Sequence, residues 1–290
     1  MFEGFERRRV DAPGASINLV VGGSGPPLLL LHGYPQTHAM WHRVAPALAE
    51  RHTVVAADLR GYGDSDKPAG GPGHANYAKR AMAADQAAVM DALGFARFSL
   101  AGHDRGARCA HRLALDHGRR VDKVAFLDIV PTFDVWERSD RRHAWTSFHW
   151  YFLSQDADLP EVMIGADPDF WLTRMLEKWS ADMDAFAPEA MAEYLRCFRD
   201  PAAIHATCED YRAGYTIDVD HDAADRDRRI ECPVLALWGE RAGSARNQSV
   251  LEIWRGRARD VRGRPLACGH FLAEERPEET VRELLAFFSA

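Results

Sequence analysis

One aspartate lies in a sequence context that is typical of an enzyme nucleophile. Asp104 is the central residue of a Gly-x-Asp-x-Gly motif at residues 102–106, between the apolar stretch 98–101 and the helix-like stretch 107–117. Glycines permit the sharp strand-to-helix turn that lifts a central side chain above a sheet, and a helix N-terminus favours negative charge. The motif therefore predicts a carboxylate nucleophile at Asp104, with a helix-capping aspartate as the alternative.

Two arginines follow this aspartate at a spacing that suits an anionic ligand. Arg105 and Arg108 are three residues apart and would share one helix face, and Arg105 should line a pocket, where a charge without a partner is costly. Guanidinium groups match carboxylates, and they would offset a repulsion of about 4 kcal/mol between an ionised substrate and Asp104 at about 4 Å. We therefore expect a small acid as the substrate, with a surface position as the alternative for either arginine.

The elements that must position these residues alternate between strand and helix. Apolar runs typical of buried strands occupy residues 28–31, 54–57, 98–101, 121–129 and 234–238, and the alanine-rich stretch 79–93 is helix-like. Residues 5–10 and 16–21 can pair as an opening hairpin. Strands separated by helices indicate βαβ units, so we predict an α/β fold with a mostly parallel, doubly wound sheet.

This alternation stops after Pro131, where a segment of another kind begins. Residues 132–225 hold five of the eight tryptophans, and the stretches 141–153, 170–179 and 188–199 are helix-like. We predict a helical cap over residues 132–225, inserted between two parts of an α/β core, 1–131 and 226–290. In the simplest interpretation its aromatic side chains pack the cap onto the sheet.

Composition and charge limit the classes of function. The chain has 290 residues, of which 47% are hydrophobic and 27% are charged, and its net charge of −7 disfavours nucleic acid as a partner. No apolar run approaches the ~20 residues that span a bilayer. Five cysteines without a Cys-x-x-Cys pair indicate neither a disulfide framework nor a zinc ribbon, and no nucleotide-binding motif is present. We therefore expect a cytoplasmic protein without metal, cofactor or membrane partner.

Several motifs resemble those of the α/β-hydrolase family over nearly the whole chain. Residues 32–33 are similar to the family's oxyanion loop, residues 58–65 to its glycine-rich turn, and residues 269–271 to its catalytic-histidine loop. The resemblance implies an α/β-hydrolase fold with an acidic nucleophile. A carboxylate attacks an sp³ carbon by displacement and leaves an alkyl ester on the enzyme, which is the chemistry of haloalkane dehalogenases and epoxide hydrolases.

The same resemblance implies the machinery that would hydrolyse this ester. His270 would activate the attacking water, since a neutral imidazole suits neutral pH. Asp128 is the expected orienting acid because it keeps the nucleophile-acid-base order of the fold, and Glu240 is the alternative. The backbone N–H groups of Tyr34 and Arg105 are expected to bind the developing oxyanion.

The residue after the nucleophile distinguishes branches of this family. Haloalkane dehalogenases and many epoxide hydrolases carry tryptophan there, whereas this chain has Arg105, and residues 102–108 resemble the haloacetate dehalogenases, a group that includes the fluoroacetate dehalogenases. The resemblance implies that both arginines hold the substrate carboxylate and that His149, Trp150 and Tyr211 donate hydrogen bonds to the departing halide. Core packing is the alternative for His149 and Trp150.

The sequence thus predicts a cofactor-free enzyme that converts haloacetate, including fluoroacetate, to glycolate and halide through an ester on Asp104. An epoxide hydrolase with the same triad is the first alternative, in which Tyr211 acts with Tyr151, Tyr194 or Tyr215 as a proton donor. A ligand-binding protein that keeps the fold without turnover is the second. The expected partner is a small haloacid, and homodimers are common in the resembling group.

Overall fold

The strands form one mixed sheet with the candidate nucleophile near its centre. The computed structural model of the protein describes residues 1–156, 158–243 and 249–289. Its strands are β1 (Glu6–Asp11), β2 (Ser16–Gly22), β3 (Pro27–Leu31), β4 (Thr53–Ala57), β5 (Phe98–His103), β6 (Val121–Leu127), β7 (Val234–Gly239) and β8 (Val261–Leu266). Their order is β1-β2-β4-β3-β5-β6-β7-β8; β1 and β2 run antiparallel to their neighbours, and the other pairs are parallel. The predicted opening hairpin and mostly parallel sheet are confirmed.

Burial explains which strands the sequence revealed. The central strands are buried on both faces, so their apolar runs are continuous. β8 was not predicted, because Arg262 and Arg264 interrupt its apolar pattern and an edge strand can present such residues to solvent. β6 ends at Leu127, which is earlier than predicted, because the backbone turns at Asp128 with a φ of +56°.

Helices flank this sheet and fill the segment between β6 and β7. The helices before that segment are α1 (Ala45–Ala49), α2 (Lys79–Ala92) and α3 (Asp104–Asp116), and those after it are α12 (Val250–Arg257), α13 (Leu272–Glu275) and α14 (Pro277–Phe288). Between β6 and β7 lie α4 (Thr132–Glu137), α5 (Arg141–Thr146), α6 (Phe148–Leu153), α7 (Leu159–Gly165), α8 (Pro168–Trp179), α9 (Pro188–Phe198), α10 (Pro201–Tyr215) and α11 (Ile217–Ala224). We call residues 132–224 the helical insert.

Local signals set the boundaries of the insert helices. Asp167 and Asp200 each accept a hydrogen bond from a first-turn amide, and a proline follows each of them as the first residue of α8 or α10. The helix predicted over residues 141–153 is divided into α5 and α6, because Ser147 leaves helical geometry with a φ of −115°. α6 therefore begins one residue before His149, which brings the following aromatic side chains to a helix end.

The helical insert lies over the carboxyl ends of the parallel strands. The Trp171 indole N–H donates to the Tyr34 hydroxyl, and the His270 backbone N–H donates to the Trp179 carbonyl at 2.9 Å. Such contacts join the insert to loops that follow β3 and β8. In the described part of the chain, every helix is too short or too polar to cross a bilayer.

Candidate active site

Asp104 occupies a tight turn between β5 and α3. Its φ is +46°, a strained value for a residue with a side chain, and strain of this kind is common at functional sites. Two glycines permit the turn: a Cβ at Gly102 would lie 2.7 Å from the Ala107 backbone nitrogen, and a Cβ at Gly106 would lie 2.3 Å from the His32 carbonyl oxygen. The turn therefore requires both glycines of the motif and begins the helix at the aspartate itself.

The Asp104 carboxylate is buried but ionised. The Tyr34 backbone N–H donates to its Oδ1 at 2.9 Å, and Gly33 allows this approach because a Cβ there would lie 2.5 Å from the Asp104 Cβ. Burial raises the pKa of Asp104, but the neighbouring charges, that of His270 foremost and then that of His103, lower it to about 2. At neutral pH the side chain is an anion with one oxygen held by an amide and the other free to react.

His270 is bonded to one carboxylate and directed at another. Its Nδ1–H donates to Asp128 Oδ2, and its Nε2 lies 3.8 Å from Asp104 Oδ2. Asp128 follows β6, and its Oδ1 accepts from the Gly239 backbone N–H at 3.1 Å, which fixes the carboxylate. Glu240, the alternative acid, is exposed to solvent. The structure thus brings Asp104, His270 and Asp128 together.

The surroundings of His270 favour a basic imidazole. Burial alone would lower the pKa of His270, but the hydrogen bond and charge of Asp128, together with the charge of Asp104, raise it. The 3.8 Å separation between His270 Nε2 and Asp104 Oδ2 exceeds hydrogen-bond length, so Nε2 does not donate to that carboxylate and can carry the lone pair of a neutral imidazole. An imidazole in this position can take a proton from a water molecule that attacks the Asp104 carboxyl carbon.

Arg105 has a counter-ion inside the protein, Asp210, which the sequence pattern did not predict. Its Nε and Nη2 donate to the two oxygens of Asp210 at 2.9 and 2.7 Å, and both side chains are fully buried. Asp210 also accepts from Lys79 and from the Tyr62 hydroxyl. Of the Arg105 side-chain nitrogens, Nη1 is buried and has no hydrogen-bond partner among the described residues, while the guanidinium carbon lies 4.3 Å from the Tyr211 ring centroid.

Arg108 lacks a carboxylate partner. Its Nη1 donates to the Val130 carbonyl and the Thr132 hydroxyl, and no acidic side chain of the described residues lies within 4.0 Å of its guanidinium. Burial and the charge of Arg105 lower the pKa of Arg108 to about 10, so it remains a cation at neutral pH. Arg108 lines the same cavity as Asp104, whereas Arg105 is not among the lining residues.

The three aromatic residues proposed from the sequence as halide donors lie together. The ring centroid of Tyr211 is 5.7 Å from that of His149 and 6.0 Å from that of Trp150. Burial lowers the pKa of His149 well below its usual value, so the ring is neutral and carries one N–H. No described residue accepts a hydrogen bond from the Trp150 indole or the Tyr211 hydroxyl. All three groups keep hydrogen-bonding capacity for a ligand.

A cavity of about 270 Å³ is open to solvent and is lined by Asp104, Arg108, His149 and Trp150, whereas Tyr211 packs beside His149 and Trp150 without lining it. This volume suits a small substrate. Its inner lining residues are Asp104, Arg108, Asp128, His149, Trp150, Trp179 and His270. Its outer lining residues include Arg142, His143, Trp145, Lys178 and Arg241. Within the described residues, no three His, Cys, Asp or Glu side chains are grouped as the ligands of a metal ion would be.

None of the tyrosines of the epoxide-hydrolase alternative, Tyr211 included, is among the residues that line this cavity. The Tyr194 hydroxyl is bonded to the buried Glu274 carboxylate, and Tyr215 is 57% exposed. The Tyr151 hydroxyl is within 3.0 Å of His143 Nδ1, at the rim of the cavity. None of Tyr151, Tyr194 and Tyr215 is therefore placed to act with Tyr211 as a pair of proton donors.

Sequence reasoning missed three residues that support the site. Asp210 neutralises Arg105, Glu275 accepts hydrogen bonds from the His270 loop, and Trp179 places its ring 4.4 Å from that of His149. Each of these residues contacts a group on another helix or loop, and the sequence does not show that contact. The one available signal was position, because Asp210 directly precedes Tyr211 and Glu275 follows the histidine loop closely.

Comparisons with known proteins agree with this architecture. A family model described as the alpha/beta hydrolase fold matches residues 26–277. The chain is 52% identical to a fluoroacetate dehalogenase of Burkholderia sp., over 100% of this chain and 95% of the relative, and 34% identical to a soluble epoxide hydrolase of Corynebacterium sp. strain C12, over 95% and 94%. A solved structure from Nostoc sp. PCC 7120, described provisionally as an alpha/beta hydrolase, matches with a TM-score of 0.98 at 57% identity and 99% coverage of both chains.

Proposed function

Because this chain belongs to the α/β-hydrolase family, we propose that it is a hydrolytic dehalogenase that converts haloacetate, including fluoroacetate, to glycolate and halide. The helical insert acts as the cap that encloses the substrate. The similarity to the Burkholderia fluoroacetate dehalogenase supports carbon-halide chemistry, while the similarity to epoxide hydrolases is compatible with the same ester intermediate. The choice between these substrates depends on the charges of the cavity.

The observation that carries the proposal is the cation beside the nucleophile. Arg108 has no acidic partner among the described residues and lines the cavity next to Asp104, which is already anionic. A buried charge of this kind is costly unless a ligand neutralises it. A substrate carboxylate would do so with Arg108 and with the unpartnered Nη1 of Arg105. A neutral epoxide would leave both groups unsatisfied.

The first step is a displacement at carbon. With the substrate carboxylate on Arg108, Asp104 Oδ2 attacks the halogen-bearing carbon, a carbon-oxygen bond forms, and the carbon-halogen bond breaks with its electron pair leaving on the halide. His149, Trp150 and Tyr211 donate hydrogen bonds to that halide. Fluoride needs such donors most, because it is a poor leaving group that is strongly hydrated in water.

The second step is hydrolysis of the ester on Asp104. His270 removes a proton from water, and the resulting hydroxide attacks the carboxyl carbon of Asp104 while Asp128 stabilises the imidazolium. The carbonyl oxygen takes the place of Oδ1, to which the Tyr34 N–H donates, and the Arg105 N–H in the first turn of α3 is the second donor. Collapse of this oxyanion breaks the carbon-oxygen bond to glycolate, whose alkoxide oxygen takes the proton held by the His270 imidazolium. Asp104 then loses its own proton and is again a carboxylate, so haloacetate and water yield glycolate, halide and a proton.

Halide release tests the proposal directly. Fluoroacetate and chloroacetate are incubated with the wild type and with Asp104→Ala, and free halide is read with an ion-selective electrode. We expect both halides from the wild type and neither from the variant. His270→Ala should release about one halide per protein and accumulate a carboxymethyl ester on Asp104, visible by intact mass. Absence of both halides, with turnover of a small epoxide, would establish the alternative function instead.

A further inference from the structure

The loop that carries His270 is held by one buried carboxylate. Glu275, at the end of α13, accepts a hydrogen bond from the Gly269 backbone N–H at 2.9 Å and from the Phe271 backbone N–H at 3.1 Å. These amides belong to the residues directly before and after His270. Glu275 thus fixes the backbone on both sides of the imidazole.

The same carboxylate also binds the helical insert. Its Oε2 accepts a third hydrogen bond, at 2.8 Å, from the Ala181 backbone N–H, two residues beyond Trp179. The Trp179 carbonyl in turn accepts from the His270 N–H, and a Cβ at Gly269 would lie 2.5 Å from that carbonyl oxygen. The histidine loop and the insert are therefore in direct contact, with Glu275 bonded to both.

Glu275 makes these bonds without a cationic partner among the described residues. The side chain is buried, and no Lys, Arg or His nitrogen among the described residues lies within 4.0 Å of its carboxylate. Hydrogen bonds from amides to a carboxylate are about twice as strong as those between neutral groups. An ordinary salt bridge therefore does not explain this residue, whereas three oriented amides do.

We propose that Glu275 is a positioning residue for the hydrolysis step, which fixes the His270 loop against the helical insert so that the imidazole stays directed at Asp104. The inference rests on the proposed two-step reaction. Displacement of the halide uses Asp104 and the donors of the insert, whereas only hydrolysis uses His270. Loss of Glu275 should consequently affect the second step much more than the first.

The test compares the two steps in Glu275→Gln. A neutral glutamine has one acceptor oxygen and presents an N–H₂ group to an amide donor, so it cannot hold the three amides. A general base accelerates a reaction by about 10²- to 10⁴-fold, and displacement of the His270 loop should remove part of this gain. We therefore expect the rate of ester hydrolysis to fall by about 10- to 100-fold. Rapid-quench measurement should give a halide burst near one per protein at close to the wild-type rate, followed by slow glycolate formation with ester on Asp104.

Glu274→Gln is the matched control. Glu274 is the adjacent buried carboxylate, and the side chains that form hydrogen bonds with it are those of Tyr194 and Gln36 rather than groups of the histidine loop. The control variant changes the same group at the neighbouring position of α13. We expect it to keep both rates within about twofold of the wild type.

Two further measurements separate positioning from a general loss of structure. The negative charge of Glu275 helps to raise the pKa of His270, so Glu275→Gln should move the acid limb of ester hydrolysis to lower pH. Glu275→Asp keeps the charge but withdraws the acceptor, and should slow hydrolysis without moving that limb. Hydrogen exchange at the amides of residues 269, 271 and 181, measured without substrate, should accelerate in both Glu275 variants and remain unchanged in Glu274→Gln.

The outcomes distinguish this inference from the proposed function. Equal slowing of burst and hydrolysis, or equal behaviour of Glu275→Gln and Glu274→Gln, would overturn the role of Glu275 while leaving the dehalogenase proposal intact. A wild type that releases no halide would overturn the dehalogenase proposal. In that case hydrogen exchange alone would test Glu275. Exchange at the wild-type rate in the Glu275 variants would overturn its role in fixing the loop, and faster exchange would support that role.

Discussion

At the scale of single residues, the two neighbouring arginines differ because of Asp210. Arg105 is paired with that carboxylate through two nitrogens, whereas Arg108 keeps its charge for the cavity. Hydrogen bonds to charged groups contribute about 1.5–3 kcal/mol, which corresponds to about 10- to 100-fold in KM. The recognition of a substrate carboxylate should therefore depend mainly on Arg108.

Arg108→Gln should raise the KM for chloroacetate by about 10- to 100-fold. The turnover of chloroacetamide, which is much weaker, should hardly change, because the amide carries no charge. Steady-state kinetics with both substrates measure this difference. Arg108→Lys is the control that keeps a cation. Equal losses with both substrates would mean that Arg108 supports the fold of the cavity rather than the substrate carboxylate.

The pH dependence of His270 should differ between the free enzyme and the ester. In the free enzyme Asp104 is an anion that helps to raise the pKa of His270. Esterification removes that charge, so the imidazole of the intermediate should lose its proton at a lower pH. We expect the acid limb of single-turnover hydrolysis to lie below the pKa of His270 measured by NMR in the free protein, with activity lost as pH falls. Identical values would show that Asp104 does not interact with His270 in this way.

The sequence reveals residues whose role is tied to a local pattern, and it conceals those that act through distant partners. Asp104 is recognisable because its flanking glycines are required by the turn itself. Asp210 carries no such pattern, and its bond to Arg105 joins α10 to α3 across 105 positions. The position of Arg105 therefore suggested a free charge, and only the folded chain supplies its counter-ion.

At the scale of elements, α13 joins the core to the helical insert through a second buried acid. The Tyr194 hydroxyl of α9 donates to Glu274, and burial raises the pKa of Glu274 from its usual 4.5 to about 7. Between pH 4.5 and about 7, Glu274 is therefore protonated in the folded protein and ionised in the unfolded chain. This contribution to stability is complete below pH 4.5 and is lost as pH rises through about 7.

Glu274→Gln should remove this dependence, since glutamine cannot ionise. We expect the free energy of unfolding of the variant, relative to the wild type, to increase by up to about 3 kcal/mol between acid pH and pH 8. Urea unfolding across that range measures the difference, and Glu189→Gln on the exposed face of α9 is the control. A constant difference between variant and wild type would mean that the pKa of Glu274 is the same in the folded and unfolded states.

The elements themselves were predictable where one physical cause dominated. Burial on both faces made β3 to β7 continuous apolar runs, whereas the exposed arginines of β8 concealed that strand. The Asp-Pro pairs at 167–168 and 200–201 mark the starts of α8 and α10, because aspartate caps the helix and proline fits its first turn. The division at Ser147 had no comparable signal, since it depends on how α5 and α6 pack.

At the scale of the whole molecule, the charge at the cavity mouth is opposite to the charge of the chain. The net charge is −7, but three exposed cations line the outer cavity, namely Arg142, Lys178 and Arg241. None of them forms an ion pair within 4.0 Å with another described residue. Clefts lined by one sign of charge attract ligands of the other sign, and salt screens this attraction with a Debye length of about 10 Å at 0.1 M.

The kcat/KM for chloroacetate should therefore decrease with ionic strength, while that for neutral chloroacetamide should remain constant. Replacing the three mouth cations by glutamine should flatten this salt dependence and lower kcat/KM at low salt, with kcat nearly unchanged because Asp104, Arg108 and His270 are untouched. A matched triple variant changes the net charge equally at exposed arginines away from the cavity, Arg51, Arg119 and Arg255. If both triple variants lose the salt dependence to the same extent, the net charge of the molecule rather than the mouth governs substrate capture.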